Sequence, residues 1–302
     1  MTTASIGFIG LGNMGGRMSK CIVRGGGALL GFDANPAAIA SADVTPASSV
    51  SELTSQCDVV LLSLPDSRVV EAVVLAPDGL LEHARRGQVV VDLSTSAPGS
   101  TRRIHDLLAE KGASYLDAGI SGGAAAADVG KLTLMVGGEK EALELVQPVL
   151  DYFASNTFYV GSSCAGHTTK LLNNFLNAVS LSATAEVMVA AKKAGLDLAV
   201  LLDVFNKSSG VNFATINRFP KIITGDYLKG GLTNTLMMKD VVLYSDLLSQ
   251  LGVASLNVAG PLASFGLAKA LGYADEISNT VVDAIGDISG GVRLHDKQDG
   301  TS

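Results

Sequence analysis

Ser5-Ile-Gly-Phe-Ile9 runs directly into Gly10-Leu-Gly-Asn-Met-Gly15, and the junction leaves few folds open to the chain. The first five residues have the make-up of a short buried strand. The next six are G-x-G-x-x-G opening a helix, Met14 to Arg24. Gly10 allows the tight turn, Gly12 lets the backbone approach a pyrophosphate, and Gly15 lets helix and strand pack closely. The free N–H groups and positive end of such a helix hold phosphate, with Asn13 and Met14 in the first turn. Glycine-rich turns are common, so the motif draws its strength from what surrounds it. A second strand, Ala28-Leu-Leu-Gly-Phe32, ends in Asp33, at the roughly 20-residue distance of a ribose 2′-OH acceptor. A carboxylate there hydrogen-bonds the diol of NAD and repels the 2′-phosphate of NADP, and no Arg follows at once to reverse that choice. NAD is therefore the expected cofactor, with NADP the lesser candidate. The plainer alternative is that Asp33 only caps the turn before Asn35-Pro36.

The alternation of strand and helix continues. Asp58-Val-Val-Leu-Leu-Ser-Leu64 is a continuous apolar run, as in a strand buried on both faces of a parallel sheet. Pro65-Asp66 ends it and starts a helix. Gln88-Val-Val-Val-Asp-Leu93 is another such strand, ending in Ser94-Thr95 and stopped by Pro98. Ligands bind at the carboxyl ends of strands in such sheets, so Leu64, Pro65 and Thr95 are candidate cofactor contacts, against the alternative of ordinary strand-ending turns. Tyr115 to Gly123 and Leu132 to Gly138 are two further strand segments. Ser121-Gly122-Gly123 offers bare backbone N–H groups and one hydroxyl, a small cradle for a carboxylate or merely a flexible turn. Asp117 and Asp128 have no His or Cys around them, so no metal site is expected. Glu139 to Leu150 reads as a helix, and Tyr152 to Val160 contains a last strand.

Composition changes at Gly161-Ser-Ser-Cys-Ala-Gly-His-Thr-Thr-Lys-Leu-Leu-Asn-Asn174. From Gly166 to Ala194 the chain reads as one long helix, apolar nearly all round and so expected to be buried, with a length that implies packing between domains or subunits. Helices are expected over Leu198 to Phe205, Phe213 to Phe219, Thr233 to Leu251, from about Pro261, and over Glu276 to Ile285. Lys170 and Asn174 are i and i+4 and share one helix face, with Asn173 on its flank. A cation and an amide side by side can hold an alcohol oxygen and move its proton. To act as a base at neutral pH, such a Lys must have its ammonium disfavoured by desolvation or by a second cation. Lys239, with Asp240 interrupting an apolar helix surface, could be that cation. It could equally be a solvated helix residue. His167 lacks a nearby carboxylate in sequence and is assigned a supporting or cofactor-edge role. His83, His105 and His295 read as surface, and residues 208–218 are expected to help close a substrate pocket.

Several classes are excluded. At 302 residues with 47% hydrophobic and 17% charged, a large core is available and disorder is not expected. A net charge of -7 argues against nucleic-acid partners. No uncharged apolar run reaches ~18 residues, so no membrane span is expected. Cys21, Cys57 and Cys164 form no pair or metal spacing, which fits a reducing cytoplasm. The first strand begins too early for a targeting segment.

Five motifs in order resemble the β-hydroxyacid dehydrogenase family, the group of 3-hydroxyisobutyrate dehydrogenase and tartronate semialdehyde reductase. They are Gly7 to Gly15, Asp92 to Pro98, Asp117 to Gly138, Gly161 to Asn174, and Lys239-Asp240. Together they span about Ser5 to Gly291. The resemblance implies a Rossmann-type doubly wound parallel α/β sheet over residues 1–162. An all-helical substrate and oligomerisation domain (163–291), joined by the long helix, and a polar tail (292–302) would follow. It implies Lys170 as the catalytic residue. Substrate would rest on Ser121, Gly122, Gly123, Asn174 and Lys239. The cofactor would rest on Gly10, Gly12, Asn13, Met14, Gly15, Asp33, Leu64, Pro65, Thr95 and Lys239. Cys164, Gly119, Ala126 and Lys131 depart from the family's usual Gly, Pro, Gly and Thr. The expected reaction is NAD-dependent oxidation of a small 3-hydroxy carboxylate by a homodimer or homotetramer. The rivals are a semialdehyde reductase of the same family and a catalytically silent NAD-binding module.

Overall fold

The structure is a computed structural model and describes residues 4–228 and 230–295. The chain divides into two compact units, Met1–Lys170 and Leu171–Ser302. The first unit alternates strands and helices: β1 (Ile6–Ile9), α1 (Gly15–Arg24), β2 (Leu29–Phe32), α2 (Pro36–Ala40), β3 (Thr45–Pro46), α3 (Val50–Gln56) and β4 (Val59–Leu62). It continues with α4 (Ser67–Leu75), α5 (Leu80–His83), β5 (Val89–Asp92), α6 (Pro98–Glu110), β6 (Ser114–Ser121), α7 (Gly123–Asp128), β7 (Leu132–Gly137), α8 (Lys140–Leu150) and β8 (Ala154–Gly161). A single sheet runs β3-β2-β1-β4-β5-β6-β7-β8. Every neighbouring pair is parallel except β6 with β7.

The apolar runs explain the sheet. Every residue of β1, β4 and β5 is buried, as strands covered on both faces require. Alternate residues serve opposite cores. Phe8, Leu61, Val91 and Leu116 join one, while Ile9, Leu62, Val90 and Tyr115 join the other. Register then decides where function can sit. Ile9 pairs with Phe32 and Leu62, Leu62 with Asp92, and Asp92 with Asp117. The loops that follow these residues therefore leave the sheet along one carboxyl edge.

α9 (Ala165–Lys193) starts in the first unit, and the division falls inside it after Lys170. The second unit is helical: α10 (Leu198–Asn206), α11 (Phe213–Asn217), α12 (Phe219–Ile222), α13 (Asn234–Leu251), α14 (Ala259–Ala270), a 3-10 turn at Ser278–Thr280, and α15 (Val281–Ile288). Ala178, Leu181, Ala185 and Met188 of α9 join its core with Phe219, Met237, Phe265 and Val281. Phe175 stacks on Tyr244 with ring centroids 3.8 Å apart.

Leu172, Leu176 and Val187 of α9 are 43%, 69% and 47% exposed, so its apolar surface is only partly covered within its own chain. Two expectations are revised. The helix expected over Phe213 to Phe219 breaks at Arg218, where φ is -113°. Pro220 accounts for this, since its ring would clash with the carbonyl four residues back and it has no N–H to donate. The last helix starts as the 3-10 turn and extends to Ile288. Of the polar tail 292–302, residues 296–302 lie outside the described residues. Leu294 is buried and Arg293 pairs with Asp283 and Asp287. No helix among the described residues is long and apolar enough to cross a membrane.

Candidate active site

The glycine-rich turn requires glycine at Gly10 and Gly15. Gly10 sits at φ +91°, and a Cβ there would lie 2.3 Å from the Ser63 carbonyl oxygen. A Cβ on Gly15 would lie 1.8 Å from the Gly10 oxygen, so only glycine lets α1 start this close to its strand. Gly12 faces open space, and α1 has no side-chain cap and no acid in its first turn. An uncapped helix end beside an open glycine suits an anionic pyrophosphate. Asn13 is exposed and takes a hydrogen bond from Arg17 Nε, while Met14 is partly buried. Asp33 stands beside this turn and accepts from the backbone N–H groups of Leu11 and Asn35, both at 2.7 Å. Each carboxylate oxygen has a second lone pair to offer a ribose hydroxyl. The residues present therefore fit a dinucleotide.

The same carboxyl edge carries Leu64, Pro65 and Thr95. Leu64 N–H donates to Ser94 Oγ at 2.9 Å. Asp92 ties the following turn down. It accepts from Ser94 N–H, Ser96 Oγ and the Tyr115 hydroxyl. Burial, then the charge of Asp92, push the Tyr115 hydroxyl well above its ordinary pKa, so it stays a donor. Thr95 lies between the two pinned serines.

Ser121 closes β6, and Gly122 and Gly123 open α7 with φ of +122° and +67°. Both glycines are exposed, and no side chain caps the helix they begin.

Lys170 is placed by two strands and a buried acid. Asp117, fully buried on β6, accepts from the backbone N–H groups of Cys164 at 2.9 Å and His167 at 2.8 Å. It thereby anchors the first turn of α9 at the sheet. Gly166 lies so close that a Cβ there would be 2.0 Å from the Asp117 carbonyl oxygen and 2.5 Å from that of Met135. Lys170 is 7% exposed. Its stem rests on Gly119, where a Cβ would meet the Lys170 Cβ at 2.5 Å. The departure from Pro at this position thus brings strand and helix together. The departure at Cys164 has the opposite character. It holds φ +78°, the region that favours glycine, with its thiol 3.3 Å from the Pro98 carbonyl oxygen.

His167 is fully buried, and both of its ring nitrogens are engaged within the chain. Its Nδ1 lies 2.7 Å from Thr101 Oγ1, and its Nε2 lies 3.2 Å from the Asp92 carbonyl oxygen. The carboxylate absent from its sequence neighbourhood is Asp92, whose Oδ2 is 3.8 Å away. His105, read as surface, is instead partly buried between Asp106 and Glu139.

In the second unit, Asn174 is 2% exposed and donates from Nδ2 to Asp240 Oδ2. Lys239 Nζ lies 3.2 Å from the other oxygen of Asp240. Lys239 is therefore tied to a buried carboxylate and is not a freely solvated residue. Asp117 and Asp92 are the residues that sequence reasoning missed. The available signal was a lone acid inside an apolar strand, which must find buried partners. Among the described residues, Asp78, Glu82 and His83 bring ligand atoms within 4.8 Å of one another around α5, with the two acids exposed.

Residues 5–161 match the NAD binding domain of 6-phosphogluconate dehydrogenase. Residues 164–284 match the NAD-binding domain of NADP-dependent 3-hydroxyisobutyrate dehydrogenase. The NAD-dependent L-serine dehydrogenase of Pseudomonas aeruginosa is 40% identical over 248 residues, covering 79% of this chain and 83% of that protein. The 2-(hydroxymethyl)glutarate dehydrogenase of Eubacterium barkeri is 35% identical over 241 residues, covering 79% and 80%. Among solved structures, Mycobacterium tuberculosis 3-hydroxyisobutyrate dehydrogenase with L-serine is similar at a TM-score of 0.83 and 30% identity, over 95% of this chain and 99% of that one.

Proposed function

The chain belongs to the β-hydroxyacid dehydrogenases, the family of 3-hydroxyisobutyrate dehydrogenase, and from that premise we propose that Lys170 is the acid–base residue for oxidation of a small 3-hydroxy carboxylate to its semialdehyde. The observation that carries this reading is a buried lysine fixed by its stem on Gly119, with the Asn174 amide one turn further along the same helix. Bound NAD would supply the hydride acceptor for the carbinol carbon. Gly10, Gly12, Asn13, Met14 and Gly15 would hold its pyrophosphate, with Asp33 on the ribose and Leu64, Pro65 and Thr95 along the same edge.

The work of the protein is positional and electrostatic. Ser121 and the N–H groups of Gly122 and Gly123 take the substrate carboxylate. Asn174, held by Asp240, orients the hydroxyl, and Lys239 shares that carboxylate. Lys170 Nζ accepts the hydroxyl proton as the carbonyl forms, and returns it when an aldehyde is reduced. The same residues therefore serve a semialdehyde reductase, while Asp33 leans toward NAD and oxidation. A catalytically silent module would have no need of a buried Lys170 and Asn174.

A homodimer or homotetramer and a reducing, cytoplasmic setting complete the reading. Exposed Leu172, Leu176 and Val187 on α9 support the first, and three buried free cysteines support the second. The test is reduction of NAD and NADP by the purified protein with 3-hydroxyisobutyrate, 3-hydroxypropionate, serine, glycerate, threonate and 4-hydroxybutyrate. Glyoxylate and semialdehydes would be run in reverse. NAD-linked turnover of a 3-hydroxy acid is expected, and no turnover with any of these or with a dicarboxylic 3-hydroxy acid, despite NAD binding, would defeat the proposal.

A further inference from the structure

Arg218 occupies the break between α11 and α12 and is partly buried. Its Nη1 donates to Asn279 Oδ1, and its Nη2 donates to Asn177 Oδ1 at 3.0 Å. Both partners are neutral amides. Among the described residues no carboxylate lies within salt-bridge distance of this guanidinium, in a chain whose net charge is -7. A guanidinium carries five N–H donors. Two are used, and Phe213 lies with its ring centroid 5.8 Å from the guanidinium carbon. The other three donate to no acceptor among the described residues. Burial pulls the guanidinium down to about 10, the mark of a cation held without a counter-charge.

Its position gives that acceptor a meaning. Lys170, Asn174 and Asn177 fall at i, i+4 and i+7 on α9, one stripe of a single helix. Asn177 stands about 4.5 Å beyond Asn174 along the axis. A small molecule whose hydroxyl is held at Lys170 and Asn174 would carry a group attached two or three bonds away toward Asn177 and the cation bound to it. Asp240, which accepts from Asn174 on this stripe, is shared with Lys239 and makes no ion pair with Arg218.

We propose that Arg218 is a specificity-determining residue that receives a second carboxylate on the substrate's 2-substituent, so that the enzyme prefers a dicarboxylic 3-hydroxy acid. This rests on the reading of Lys170 and Asn174 as the groups that hold the hydroxyl. The two planar N–H pairs of a guanidinium match a carboxylate bidentately, a selectivity that a Lys or Gln would lack.

The test compares kcat/KM for 2-(hydroxymethyl)succinate and 2-(hydroxymethyl)butanoate, which carries a methyl group where the first has its distal carboxylate. In the native enzyme the dicarboxylate is expected to be favoured at least ~30-fold, as a desolvated charge-assisted contact allows. Arg218→Gln should bring the ratio to within about threefold, and Arg218→Lys should leave an intermediate value. Each ratio is taken on one protein, so general damage to folding cancels. A native ratio near one, or a ratio unchanged in Arg218→Gln, overturns the proposal. Turnover with neither compound nor any other 3-hydroxy acid would instead mark the failure of the dehydrogenase reading beneath it.

Discussion

At the scale of single residues, the proposed chemistry turns on what surrounds Lys170. Its stem lies on Gly119, and its helix starts from Asp117. Lys170→Ala is expected to lower kcat by about 10²–10⁴-fold, the usual contribution of a positioned acid or base. NAD affinity, read by fluorescence titration, should stay within about twofold, since the dinucleotide residues lie in other loops. Near-normal turnover would remove Lys170 from the mechanism. Lys170 and Asn174 could be read from the sequence because helical spacing places them side by side. Asp117 could not. Its partners are backbone N–H groups 47 and 50 residues further along, and no side-chain spacing encodes such a bond.

At the scale of elements, α9 depends on an acid donated by a strand. Asp117→Asn leaves one oxygen for two N–H donors and turns an NH2 group toward the other. The expected cost is about 1–3 kcal/mol of stability, the penalty of an unsatisfied buried donor. Hydrogen exchange at Cys164 and His167 should accelerate, together with a fall in kcat. Unchanged protection of those two amides would show that the helix start does not need Asp117. A second tie is pH-dependent. Burial of His105 on α6 opposes its charge, but hydrogen bonds to Asp106 and Glu139 outweigh this and raise its pKa above the ordinary 6.5. A raised pKa means that the stabilisation is complete below about pH 6.5 and is lost as pH climbs through the folded-state value. His105→Gln should therefore lower Tm by about 2 °C at pH 5.5 and leave it unchanged near pH 9. An equal loss at both values would show a pH-independent packing role. The strands were legible because each is a compact apolar run between turn residues. The break at Arg218 was harder to see, since Pro220 ends the helix before its own position.

At the scale of the whole molecule, the doubly wound sheet followed by helices was legible from alternation, the glycine turn and the shift of composition after Gly161. So was the need of α9 for more cover than one small domain gives, since Leu172, Leu176 and Val187 remain exposed in the single chain. Apolar surface of that kind belongs against another chain more often than against water. Leu176→Glu, which puts a charge on the most exposed of the three, is expected to shift sedimentation toward smaller species. NAD binding should survive at the first unit. An unchanged sedimentation profile in a native oligomer would move the interface elsewhere.

One uninterrupted helix, α9, carries Lys170, Asn174 and Asn177 in line, and a helix sets angle as well as length. A residue inserted or deleted between the first two would swing everything beyond it by about 100° and send the amide to a different quadrant from the amine. The stretch from Ala165 to Asn177 should therefore be intolerant of changes in length even where it accepts changes of side chain. The turn at Ser208–Asn212 has no such phase to keep. Lengthening and shortening of this enzyme, by mutation or by design, should gather in its connecting turns.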